Sequence, residues 1–146
     1  MIFRLLAAAA LALPAAAHEY RAGTIIVDHP VLRVVSPVSK TGAGYLTIRN
    51  TGSRADTLLA VTTRAAARSD LHGTVQNGNV MQMRRAAAGV TIPAGGSATF
   101  APGGLHVMFI GLRNPVPAGA RIPARLAFAR AGKIDVVFTA QGFASP

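Results

Sequence analysis

Short apolar stretches alternate with turn residues along most of this chain. Gly44–Arg49, Leu105–Leu112, Leu126–Ala129 and Ile134–Phe138 are each of strand length, and several alternate apolar and polar residues with period two. The clusters Asn50-Thr51-Gly52, Asn77-Gly78-Asn79, Pro93-Ala94-Gly95-Gly96, Pro102-Gly103-Gly104, Pro117-Ala118-Gly119 and Ala131-Gly132-Lys133 punctuate them with residues that favour tight turns. About seven short strands with frequent turns predict an all-β, single-domain Greek-key sandwich of two sheets, immunoglobulin-like in outline. The alanine-rich piece from Thr62 to Arg68 is the one place where a helical turn is expected.

Strand parity makes the run Gly104-Leu105-His106-Val107-Met108-Phe109-Ile110 informative. Side chains two residues apart share a face. If Leu105, Val107 and Phe109 pack inward, His106 and Met108 turn together to the other side, where an ordinary solvent face would carry Thr, Lys or Arg. A second pair, Met81-Gln82-Met83, repeats the arrangement. Beyond Met1, these are all the methionines in the sequence. Thioether sulfur and imidazole form a soft donor set, suited to Cu(I) and poorly suited to Mg, Ca or Mn.

Met1–Ala17 reads as a secretory signal: Arg4, an apolar stretch from Leu5 to Leu13, Pro14, then small residues before a cleavage site. The expected division is therefore a signal peptide over 1–17 and one binding domain over 18–146, exported, with no transmembrane segment. The sequence contains no cysteine, which excludes disulfides, thiolate nucleophiles and thiolate metal sites. Thioethers suit an oxidising compartment, because they cannot be drawn into disulfides.

Fifteen Lys and Arg against five Asp and Glu give a formal net charge of +10. The basic residues are scattered and aromatics are few, so no nucleic-acid platform is expected; the charge reads mostly as a solvated face, and secondarily as steering toward an acidic partner or a membrane surface. Arg84-Arg85 follow directly on Met83, beside the candidate donors. The five acids are spread singly, and no hydrolase or zincin motif is present, so an enzyme is not expected. A blue-copper electron carrier would need a cysteine.

The spacing of the soft donors is specific. His72 is followed by ten residues and Met83, then by 22 residues and His106-Val107-Met108. This pattern, with Val80-Met81-Gln82-Met83-Arg84 around its middle, resembles the periplasmic copper chaperone family PCuAC, whose motif is a His, ten residues, a Met, about 21 residues and His-x-Met. The resemblance extends from Asp28-His29-Pro30 through Gly44-Tyr45-Leu46 and Ile92-Pro93-Ala94-Gly95 to the last strand. It implies a cupredoxin-like sandwich and the ligand set His72, Met83, His106 and Met108 for Cu(I). It also implies a periplasmic carrier that passes copper toward the copper A centre of cytochrome c oxidase, with the oxidase subunit carrying that centre, or its assembly factors, as partner. The second spacer is one residue longer than the motif; an insertion among the turns of 86–103 would leave the parity of His106 and Met108 intact, whereas one inside a strand would turn them to the core.

Beside this set, Met81 is read as a packing residue or an alternative ligand, and Asp70 as making a turn or solvent contact rather than orienting His72. His29, before Pro30, is expected in an extended conformation. His18, at the amino terminus after cleavage, could chelate Cu(II) with its own amine, a second site. The alternative functions are copper sequestration, which uses the same ligands, and a non-metal β-sandwich binding module.

Overall fold

The computed structural model describes residues 19–142. The expected signal peptide over 1–17 and His18 lie outside the described residues. Eleven strands are described: β1 (Glu19–Ala22), β2 (Ile25–Arg33), β3 (Thr41–Asn50), β4 (Asp56–Thr62), β5 (Ala66–Asn77), β6 (Val80–Arg85), β7 (Val90–Ile92), β8 (Ser97–Phe100), β9 (His106–Leu112), β10 (Arg121–Phe128) and β11 (Gly132–Ala140). All four strands expected from alternation are present. The total exceeds the expected seven because the short pieces β1, β7 and β8 pair along strands already in the sheet.

Hydrogen bonds connect the strands in the order β6-β5-β9-β3-β2-β11-β10-β4-β7, with β1 on β2 and β8 on β3. The sheet is mixed: β2 runs antiparallel to β3 and parallel to β11 through Val31 opposite Thr139 and Leu32 opposite Ala140. Strands from both ends of this order bury one core, as in a cupredoxin-like sandwich. Val107 and Phe109 of β9 and Val136 and Phe138 of β11 all lie in that core. The rings of Phe109 and Phe138 meet edge to face at 5.2 Å between centroids, joining the two layers. Gly44 makes this contact feasible, since a Cβ there would stand 2.8 Å from Phe109 and 2.9 Å from Phe138.

Two local expectations are corrected. Thr62 to Arg68 forms no helical turn: Thr62 ends β4 and Ala66 begins β5, with Thr63 Oγ1 accepting from the Ala65 amide and donating to the Pro123 carbonyl. Tertiary pairing of both flanking strands overrides the helix propensity of alanine. His29 is not extended; its φ is 50°, inside an irregularity of the β2–β3 ladder between Asp28 and Val31. A bulge requires such a residue, and histidine is among the non-glycine types enriched in the left-handed region. Pro30 beside it is buried.

Candidate metal centre

The β5–β6 hairpin is set by sequence. Asn77 pairs with Val80 around the two-residue turn Gly78-Asn79, and Gly78 takes a positive φ of 62° that a first turn residue of this kind needs. On its other side β5 pairs with β9, and this three-stranded register decides what faces what. His72 lies directly opposite His106 on β9 and opposite Arg85 on β6; Asp70 lies opposite Met108, and Thr74 opposite Met83. Parity therefore sets His72, Met83, His106 and Met108 on one face of the sheet.

Within β9 the alternation holds as expected. Val107 and Phe109 are fully buried, and Met108, on the opposite face, is half-buried. His106 and Met108 thus keep the parity expected of them, with Met108 off the core.

The structure brings the two imidazoles together most closely, with ring centroids 5.5 Å apart in an edge-to-face arrangement. His106 is only 6% exposed. Its Nδ1 lies 3.1 Å from the carbonyl oxygen of Gly104, which can only accept, so Nδ1 donates there and in the neutral ring Nε2 carries the lone pair. That Nε2 is buried without a hydrogen-bond partner, and so is Nδ1 of His72. Buried polar atoms are nearly always satisfied. Two orphaned imidazole nitrogens on adjacent rings are what an incoming ion would use.

The thioethers flank this pair. Met108 is the diagonal neighbour of His72 across β9 and Met83 its diagonal neighbour across β6, at about 7–8 Å between backbones in such a ladder. They lie on opposite sides of the His72–His106 row. Met83 is 64% exposed, and every residue of β6 is exposed. Among the described residues β6 pairs with β5 alone, so it forms an arm at the sheet edge. Met108 also forms a wall of a shallow depression of about 510 Å³, shared with Arg33, Val34, Val35, Ala43 and Tyr45.

Asp70 departs from expectation. It is buried, with Oδ2 3.3 Å from Arg68 Nε and 3.9 Å from His72 Nε2, and Oδ1 3.6 Å from an Arg85 nitrogen. The turn or solvent contact does not occur, because pairing with β9 encloses this position. The negative charge offsets two arginines beside the imidazoles and faces the outward nitrogen of His72, leaving Nδ1 turned inward. Arg68 was not singled out from sequence; the alternation Arg68, Asp70, His72, Thr74 was the signal that could have found it. Arg85 shares the face of the candidate donors, whereas Arg84, paired opposite Gly73, lies on the other.

A second cavity, of about 670 Å³, is lined by Thr62, Thr63, Arg64, Pro123, Arg125 and Asp135 among others, with no histidine or methionine. Hydrogen bonds from Arg125 hold the Asp135 carboxyl below its ordinary range at this exposed position. Among the described residues no group of three or more His, Cys, Asp or Glu is placed to hold a metal.

Comparison with known proteins agrees with this fold. Residues 25–140 match the lipoprotein family described as LpqE-like. A protein named as a lipoprotein, Lxx21020 of Leifsonia xyli subsp. xyli, is 35% identical over 101 residues, which is 69% of this chain and 61% of that protein. The match thus spans about three fifths of the relative's length. The apo PCuAC domain of PmoF1 superposes with a TM-score of 0.73 at 27% identity, covering 86% of this chain and 99% of that domain. The Cu(I) form of DR1885 from Deinococcus radiodurans gives 0.64 at 26% identity, covering 90% and 81%. The copper-bound PCuAC domain of PmoF2, at 24% identity and a TM-score of 0.72 over 86% and 98%, shares the fold. With the family match running through β2 to β11 and this sandwich common to those domains, the chain belongs to the PCuAC-related, LpqE-like lipoprotein family.

Proposed function

We propose that this protein is an exported Cu(I) metallochaperone that carries copper through the periplasm toward the copper A centre of cytochrome c oxidase, with His72, Met83, His106 and Met108 as its ligands. The observation that carries the reading is the pair of orphaned nitrogens, His72 Nδ1 and His106 Nε2, on facing imidazoles with thioethers on either side. Structural relatives that are PCuAC copper-binding domains support it.

Two nitrogens and two sulfurs suit Cu(I), a soft ion with no ligand-field preference, in tetrahedral or distorted trigonal geometry. Closing four bonds on one ion requires the β6 arm to draw Met83 toward the histidines. An exposed arm of this kind favours exchange between partners over permanent storage. The five acids also fit a carrier better than a hydrolase, since each is committed to a partner. Glu19 and Asp28 bind Arg49, Asp56 accepts backbone amides of Thr57, Arg130 and Ala131, Asp70 binds Arg68 and Arg85, and Asp135 binds Arg125. Arg33, near Met108, suits an acidic copper acceptor.

Deletion of the gene is expected to lower cytochrome c oxidase activity when copper is scarce, with recovery on adding copper, because mass action replaces a carrier that only raises local supply. Oxidase assays across a copper series check this. Normal oxidase activity at limiting copper, together with raised copper sensitivity, would assign the protein to sequestration.

A further inference from the structure

Met81 is neither a packing residue nor a necessary member of the four-ligand set. It is 60% exposed on an edge strand, beside Met83 at 64%. Methionine gains little at such a position, since its value in a protein is to fill irregular gaps in a core. Its face is also fixed: Met81 pairs opposite Gln76, Met83 opposite Thr74 and Arg85 opposite His72, so both thioethers point to the side on which the histidines lie. The residues between and after them, Gln82 and Arg84, take the opposite face and contact each other there.

We propose that Met81 and Met83 form an outer, two-thioether Cu(I) station on β6, from which the ion passes to the histidine pair. The inference rests on the reading of the four-ligand centre above. Residues two apart on a strand lie about 7 Å apart, and two flexible thioethers can meet an ion between them. The near neighbours across the hairpin, Thr74 and Gln76, are neutral, and the charge of Arg85 is offset by Asp70. Two neutral sulfurs select a soft cation and hold it weakly, as a transit site requires.

Transfer is then a ligand exchange with Met83 common to both stations. The bond from Met81 sulfur to copper breaks as the bond from His72 Nδ1 forms. The nitrogen of the neutral ring brings a lone pair, and the ion stays Cu(I) throughout. His106 Nε2 and Met108 complete the inner set.

The test uses the mature chain with Cu(I) supplied as its bicinchoninate complex under reductant, and Ag(I) as a redox-stable probe in methyl NMR of labelled methionine. Met81→Leu removes the sulfur at an exposed position and keeps the side chain's bulk. It is expected to slow copper uptake about 5- to 10-fold while leaving the equilibrium affinity within about twofold, because it removes a tethered capture site and no resident ligand. In His106→Ala, where the inner set is incomplete, Ag(I) is expected to shift the methyl signals of Met81 and Met83 together. An unchanged uptake rate, or an affinity loss in Met81→Leu equal to that in Met83→Leu, would overturn the outer station and leave the inner centre standing. An unchanged affinity in His106→Ala would overturn the centre itself.

Discussion

Replacing His106 with alanine is expected to weaken Cu(I) binding by about 100-fold or more, since loss of groups that merely orient a metal's ligands already costs about 10- to 100-fold. His106 is the most enclosed of the four candidates, and while Nδ1 contacts Gly104 its Nε2 is buried without a partner. Competition with a chromophoric Cu(I) chelator measures the effect. Met108→Leu is the companion variant, because leucine keeps an apolar side chain on a half-buried position of β9 and removes only the sulfur. It is expected to weaken Cu(I) far more than Cu(II), as thioethers prefer the softer ion. Equal losses for both ions would argue against sulfur ligation.

Phe138→Ala is expected to cost about 3–5 kcal/mol of folding stability, the range for deleting a fully buried aromatic side chain. For a domain of this size that lowers the thermal midpoint by about 10–20 °C, read by circular dichroism. The effect is large because Phe138 meets Phe109 across the two layers, and Gly44 leaves no side chain to fill the gap. A shift of only a few degrees would mean that the layers are held together chiefly elsewhere.

What could be read from the sequence was what depends on local order. Period-two alternation at 104–110 placed Val107 and Phe109 inward and Met108 outward, and the Asn77-Gly78-Asn79 signal marked the hairpin that carries Met83. The pairing of His72 with His106 could not be read this way. It depends on the β5–β9 register across more than thirty residues, and only that register encloses Asp70 between two arginines. His29 was misjudged for a related reason: the preference of a residue before proline is local, whereas the bulge that imposes φ of 50° belongs to the pairing of β2 with β3. The exposure of Met81 was equally hidden, since alternation gives the face of a residue but not whether another strand covers it.

X-ray absorption of the chain loaded with one equivalent of Cu(I) tests the central claim most directly, because scattering by sulfur and by nitrogen differs in both distance and amplitude. Two sulfur and two imidazole nitrogen neighbours are expected, at about 2.3 Å and 2.0–2.1 Å on the scale of related first-row metal sites. In Met83→Leu and Met108→Leu one sulfur is expected to be lost from each. A first shell of nitrogen and oxygen alone, unchanged by either substitution, would contradict it.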